Sequence, residues 1–195
     1  MTRVILASNS QSRKMLMDSL GIVYESIPAE IDEKAIRDSD LKVQAEKIAR
    51  GKAEFVVQKC EGIVIAADTF GSVNGKVLEK PRNLEEAKEM LRLQSGEEGV
   101  MYTGFCYIDK KNNINFSDTA VIKYTFRDLF EEEIVYFVEN NPVTQWSAAF
   151  SPNDPYQTGF ISKIEGSLTA LMYGIPVELL IPLLEKSGVK LFTKN

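Results

Sequence analysis

The 195-residue chain contains no histidine. That absence removes Ser-His-Asp and Cys-His triads, and with them every His-built zinc site. A general base must then be a carboxylate, a lysine, a tyrosine or a cysteine thiolate. Cysteine is scarce as well. Cys60 and Cys106 stand far apart without metal-type spacing, so they read as reduced packing residues. Positive charge is in deficit, with 28 acids against 23 bases and a net charge of −5. A nucleic-acid partner ordinarily requires an excess of base, whereas a nucleotide needs only a few local cations. No segment approaches the ~18 uninterrupted apolar residues of a membrane span. The apolar part of Met1-Thr-Arg-Val-Ile-Leu-Ala7 is too short for a signal-peptide core. The expectation is a cytoplasmic protein with neither a nucleic-acid nor a membrane partner.

What is present suits a folded domain. Hydrophobic residues make up 44% of the chain, enough for a proper core. A strand over Val4–Ala7 leads through Ser8-Asn-Ser-Gln11 into a helix that Ser12 can cap and Gly21 can stop. A second strand is expected over Ile22–Ile27, and apolar periodicity predicts a helix over Leu41–Val57. Gly62-Ile-Val-Ile-Ala-Ala-Asp-Thr69 reads as a buried strand ending at its acid. Asn74-Gly75 is a hairpin turn, and Asn83 with Glu86 opens a helix in the manner of a capping box. Gly99–Asp109 and Ile114–Thr125 form an antiparallel pair. Asp128 can cap a helix over Leu129–Val138, and 141–159 reads as one long polar loop. A strand over Phe160–Ile164, a short helix from Ser167 and a last helix opened by Pro176 complete the order. This is an α/β protein with a mixed, twisted sheet and flanking helices, read as one domain over 1–195 with two lobes around a central cleft.

Candidate functional residues follow from that placement. Asp68 stands at a strand's carboxyl end, where open α/β sheets put ligands, or else it caps a turn before Thr69. The loop Ser8–Gln11 presents a helix N-terminus to an anion, and Arg13 adds a cation in the first turn, unless it only solvates the helix. Lys52 lies on the apolar stripe of its helix. It either snorkels to the edge or points into a cleft with an anion, in which case deleting its charge harms function and leaves stability intact.

The segments Leu6-Ala-Ser-Asn-Ser-Gln-Ser-Arg13, Ile31-Asp-Glu33, Ala67-Asp-Thr69, Lys80-Pro81, Tyr102-Thr-Gly104, Ile164-Glu-Gly-Ser167 and Gly174-Ile-Pro176 come in an ordered set. That set resembles the Maf (septum-formation-protein) family over about Ile5–Gly188. The resemblance implies a fold shared with ITPase-like proteins, often in a homodimer. It also implies a house-cleaning enzyme that cleaves a nucleoside triphosphate to the monophosphate and pyrophosphate with Mg²⁺ or Mn²⁺. It carries phosphate contacts onto Ser8, Ser10, Arg13, Lys52 and Lys80, the metal onto Glu33 and Asp68, and the catalytic carboxylate, which orients or deprotonates the attacking water, onto Asp68. Taken by itself, Lys80 before Pro81 is an ordinary turn lysine.

The chain departs from the family pattern at Gln11 and Ser12 in the first loop, in Glu97–Gly104, which lacks the histidine usual before the Thr-Gly pair, and in the late loop Ala148–Asp154. These changes cluster where the base is read, with Ser12, Thr69 and Asp154 as the candidate specificity residues. The acid Asp154 can accept guanine's N1–H and N2–H together, or can bond its own backbone in the turn Pro152-Asn-Asp-Pro155. The alternative function is a nucleotide-binding regulator linked to cell division that does not hydrolyse its ligand. Sensing alone has no need for both Glu33 and Asp68.

Overall fold

A computed structural model describes residues 3–191. Strand β1 (Val4–Leu6) is apolar and wholly buried, and helix α1 (Gln11–Ser19) follows it after a four-residue turn. Ser10 is the helix N-cap and makes no side-chain capping bond, so Ser12 lies within the first turn and does not cap. Gly21 ends the helix region at φ 67°, as expected for a left-handed stop. Of the strand expected over 22–27, only β2 (Glu25–Ser26) pairs, because its neighbour β1 offers so few residues. Helix α2 (Leu41–Val57) has the expected bounds, with the Asp40 carboxylate accepting the Lys42 amide at 2.8 Å.

Strands β3 (Ile63–Val73) and β4 (Lys76–Leu78) meet at Asn74-Gly75, both left-handed as this hairpin turn requires. Helix α3 (Leu84–Gln94) has half of the expected capping box. The Asn83 side chain accepts the Glu86 amide at 2.9 Å, but the Glu86 carboxylate takes the amide of Arg82 instead of that of Asn83. Strands β5 (Glu98–Asp109) and β6 (Ile114–Phe126) are the expected long pair. Helix α4 (Glu131–Asn140) starts later than expected. The Arg127 amide is still bonded to the Phe160 carbonyl at 2.8 Å, which holds the chain extended, and Asp128 turns against Gly96 instead of capping. Three glutamates, Glu131–Glu133, favour the helix N-terminus in its place.

The stretch 141–159 is no open loop. It condenses into single turns at Val143–Gln145 and Ser147–Ala149 and helix α5 (Pro155–Thr158), because Val143, Ala148, Ala149 and Phe150 bury in the core. Strand β7 (Ile161–Glu165), helix α6 (Leu168–Tyr173) capped by Ser167, and helix α7 (Val177–Lys186), which runs through Pro182, close the described chain.

The seven strands make one mixed sheet in the order β2-β1-β3-β5-β6-β7, with β4 beside β3. β1 is parallel to both of its neighbours and the other pairs are antiparallel. Two consequences position the site. First, β5 covers one edge of β3 from end to end, while β1 pairs with the other edge only at Ile63–Ile65 and β4 only at Gly71–Val73. Residues 66–70 are left without a strand on that side, forming a notch. β3 therefore does not end at Asp68 as the sequence implies; its neighbour β1 ends, and Asp68 and Thr69 stand in the gap.

Second, β3 is covered on both faces. Ile63, Ile65 and Ala67 pack with Leu16 and Met17 of α1 and Leu180 and Leu184 of α7, while Val64 and Ala66 pack with Ala49, Ala53 and Val56 of α2. Side chains alternate along a strand, so Asp68 belongs to the α2 face and Thr69 to the α1 face. Helix α2 comes very close to the sheet. A Cβ on Gly104, opposite Asp68 in the ladder, would stand 2.0 Å from the Ala45 carbonyl oxygen, so only glycine fits.

Candidate active site

On the α2 face, three charged side chains converge. Lys52 Nζ donates to Asp68 Oδ1 at 2.7 Å and stands 2.9 Å from Glu33 Oε2. Helix α2 presents Lys52 on the same stripe as its buried alanines. Glu33 enters from the far side on a single turn, Glu33–Ala35, whose N-cap is Asp32; the Asp32 carboxylate accepts the Lys34 and Ala35 amides at 3.1 and 3.3 Å. The side chains of Lys52 and Asp68 are 10% and 13% exposed and that of Glu33 46%, so the cluster opens to solvent on the Glu33 side. Lys52 thus neither snorkels away nor waits unpaired: its anions are two acids of the protein itself.

On the α1 face, Arg13 is buried, and each of its nitrogens donates to a neutral oxygen. Nη1 bonds Ser8 Oγ at 3.0 Å, Nη2 bonds Thr69 Oγ1 at 3.2 Å and Nε bonds the Gly174 carbonyl at 3.2 Å. A guanidinium has five N–H donors. One on each Nη therefore remains, and among the described residues no carboxylate forms an ion pair with Arg13. Burial pulls its pKa below the ordinary arginine value, against the opposing pull of the Asp68 and Glu33 charges. A buried cation without a counter-charge is costly, and a bound anion would relieve that cost. Ser8 Oγ also accepts the Ser10 amide at 3.1 Å, so the loop that feeds α1 is folded around the same oxygen that steadies Arg13.

The notch joins these two groups, since Asp68 and Thr69 are consecutive in β3. Of the residues expected at the site, Ser8, Ser10, Arg13, Glu33, Lys52, Asp68 and Thr69 gather around it, and Ser12 lies one residue before Arg13 in the first turn of α1. Lys80 is less tightly bound in. It is exposed on the segment after β4, next to Glu79, whose carbonyl accepts the Ala148 amide at 3.0 Å. That hydrogen bond leads back to the notch, because the neighbouring Ser147 Oγ donates to the Thr69 carbonyl at 2.8 Å.

Asp154 takes the turn role. Its Oδ1 accepts the Tyr156 and Gln157 amides at 2.9 and 3.3 Å as the N-cap of α5. Ser147 gave no sequence signal as a site residue, whereas Thr103 and Gly174 stood inside segments that the sequence singled out. A depression of about 270 Å³ between Glu54, Val57 and the β5–β6 turn shares no residue with the notch. Among the described residues, no helix is long and apolar enough to cross a membrane.

Comparison with known proteins agrees with the ordered motifs. Residues 3–187 match a family model described as Maf-like protein. The chain is 34% identical over 190 residues to a dTTP/UTP pyrophosphatase of Thermotoga petrophila, covering 95% of this chain and 90% of that one. It is 30% identical over 192 residues to a protein of the same name from Syntrophus aciditrophicus, covering 98% and 93%. It is 32% identical to a nucleoside triphosphate pyrophosphatase of Synechococcus sp., covering 96% and 95%. Among solved structures, the Ham1 protein of Staphylococcus aureus aligns with a TM-score of 0.53 at 16% identity, covering 95% of this chain and 99% of that one, a likeness of fold.

Proposed function

This chain belongs to the Maf-like family, and on that premise we propose that it is a nucleoside triphosphate pyrophosphatase, releasing a nucleoside monophosphate and pyrophosphate. The observation that carries the reading is Arg13, a buried guanidinium held by three neutral oxygens with two donors to spare, one strand position from an acid–lysine–acid cluster. Phosphoanhydride hydrolysis needs positioning and charge neutralisation more than covalent chemistry.

In this reading Arg13 and the α1 N-terminus hold phosphate oxygens, with Ser8 and Ser10 shaping the loop and Lys80 at its margin. Lys52 supplies a second cation from the other face. With no histidine in the chain, Asp68 is the group that orients or deprotonates the attacking water. Its carboxylate and that of Glu33 already converge on one cation, the Lys52 ammonium, and their oxygens are of the type that Mg²⁺ and Mn²⁺ prefer. Among the described residues no third acid or cysteine joins them in a metal cluster, so further ligands would be substrate oxygens and water. Such an ion, when bound, supplies charge neutralisation at the phosphate oxygens.

Two relatives are named for dTTP and UTP, and the carboxylate of Asp154 is engaged with its own backbone. UTP and dTTP are therefore the first substrates to offer, ahead of guanine nucleotides. Incubation with UTP and Mg²⁺, followed by ³¹P NMR, tests the reading. Pyrophosphate and UMP are expected, with turnover abolished by EDTA and restored by Mg²⁺ or Mn²⁺. Release of UDP and orthophosphate would place attack at the wrong phosphorus. Binding without cleavage would leave the regulatory alternative.

A further inference from the structure

Thr103 faces Thr69 across the β3–β5 ladder and has no exposed surface. A threonine hydroxyl has one hydrogen to give. The Ala170 carbonyl can only accept, so Thr103 Oγ1 donates to it, at 3.3 Å. The 3.3 Å hydrogen bond between the two threonine hydroxyls then runs from Thr69 to Thr103. Thr69 Oγ1 in turn accepts from Arg13 Nη2 at 3.2 Å.

The chain of bonds also closes on itself. The Ala170 carbonyl accepts the Gly174 amide at 3.0 Å, and the Gly174 carbonyl accepts Arg13 Nε at 3.2 Å. Gly174 sits at φ 67°, and a Cβ there would stand 3.1 Å from both Arg13 Nε and Thr69 Oγ1. The guanidinium is thus gripped at Nε and Nη2 by a ring through β3, β5 and the end of α6.

From this ring we propose that Thr103 is a positioning residue, which fixes the plane of the Arg13 guanidinium and so aims its two remaining N–H donors at the bound anion. The proposal rests on the nucleotide reading above for the identity of that anion, but the ring itself does not. Thr69, with its one hydrogen committed to Thr103, can only accept from a ligand. Both hydroxyl bonds are longer than the usual O–H···O distance, so each link is individually weak and the effect on binding is moderate.

The experiment compares Thr103→Val with Thr103→Ser, using Thr119→Val as a control. Thr119 is a buried threonine whose Oγ1 donates to the Lys42 carbonyl, with no link to Arg13. Tripolyphosphate binding is measured by calorimetry, and the Arg13 Nε–H resonance is followed by NMR. Thr103→Val should weaken tripolyphosphate roughly three- to tenfold, the range expected for removal of one hydrogen bond. It should also speed exchange of the Arg13 Nε–H, while Thr103→Ser restores both and Thr119→Val changes neither. Unchanged binding and exchange in Thr103→Val, or a serine variant as impaired as the valine, would overturn the proposal. If the wild-type protein binds no tripolyphosphate, the nucleotide reading fails, and the Arg13 resonance still decides whether Thr103 holds the guanidinium.

Discussion

Replacing Lys52 with methionine keeps the length and apolar stem of the side chain and deletes only its charge. Both carboxylate oxygens lie within 2.9 Å of the ammonium, which puts them less than about 6 Å apart once it is gone. Two like charges at that separation repel by about 3 kcal/mol at an effective dielectric constant of about 20. Glu33 is close to half exposed, so solvent screening reduces the figure to about 1–2 kcal/mol of stability. The variant should therefore unfold at lower urea than wild type in low salt at pH 7. Millimolar Mg²⁺ or Mn²⁺ should recover part of the difference, because the paired carboxylates then have a cation again. Turnover of UTP should fall at least about tenfold, as expected when a cation that neutralises phosphate charge is removed. A variant as stable as wild type without metal would refute the view that Lys52 neutralises Glu33 and Asp68. Similar or higher stability is what the sequence alone leads one to expect.

Asp68→Asn should cut turnover by roughly 10²–10⁴-fold, as for loss of a general base; near-normal activity in steady-state assays would remove Asp68 from the mechanism. Asp154→Ala should cost about 1 kcal/mol through loss of the N-cap and leave the UTP:GTP activity ratio unchanged, whereas a shifted ratio would return Asp154 to base reading. Gly104→Ala should cost about 3 kcal/mol or more in thermal melts, or fail to fold, because a methyl against the Ala45 carbonyl has nowhere to go. Glu133 tests pH dependence. The two-pronged bond from Arg127 holds its carboxyl below the usual glutamate value, so its contribution to stability is present above that value and is lost as pH falls through the depressed one. Glu133→Gln should therefore flatten the melting temperature against pH on the acid side, below about pH 4.3, and an unchanged slope would count against the pairing.

Much of the fold was legible because local chemistry and the global arrangement agree. Asn74-Gly75 could only be a tight hairpin, and the alanine stripe from Ala45 to Ala53 marked the face of α2 to its ends. The parts that were not legible depend on partners distant in sequence. Where β3 stops being paired is decided by the length of β1, and where α4 starts is decided by a bond from Arg127 to Phe160. Lys52 was visible as an anomaly on an apolar stripe, but nothing local could say that its partners were Glu33 and Asp68. Asp154 was ambiguous for the reverse reason. Its turn chemistry was local and sufficient, and that is the role the structure gives it.

The alternation of β3 through the notch makes the site a matter of parity. Asp68 and Thr69 are separated by one residue step and serve opposite faces of the sheet, the acid toward Lys52 and the hydroxyl toward Arg13. A one-residue insertion between Ile63 and Asp68 would bring the carboxylate to the place that faces the guanidinium, and a one-residue deletion would bring the threonine to the place that faces the lysine. Either change also inverts the sides of the neighbouring apolar residues. A two-residue change would preserve the sides and only displace them along the gap. Length variation tolerated by function should therefore fall outside this strand, in the turn at Asn74-Gly75 or in the segment before Gly62. Within it, the chain can vary in side-chain size but not in odd-numbered count.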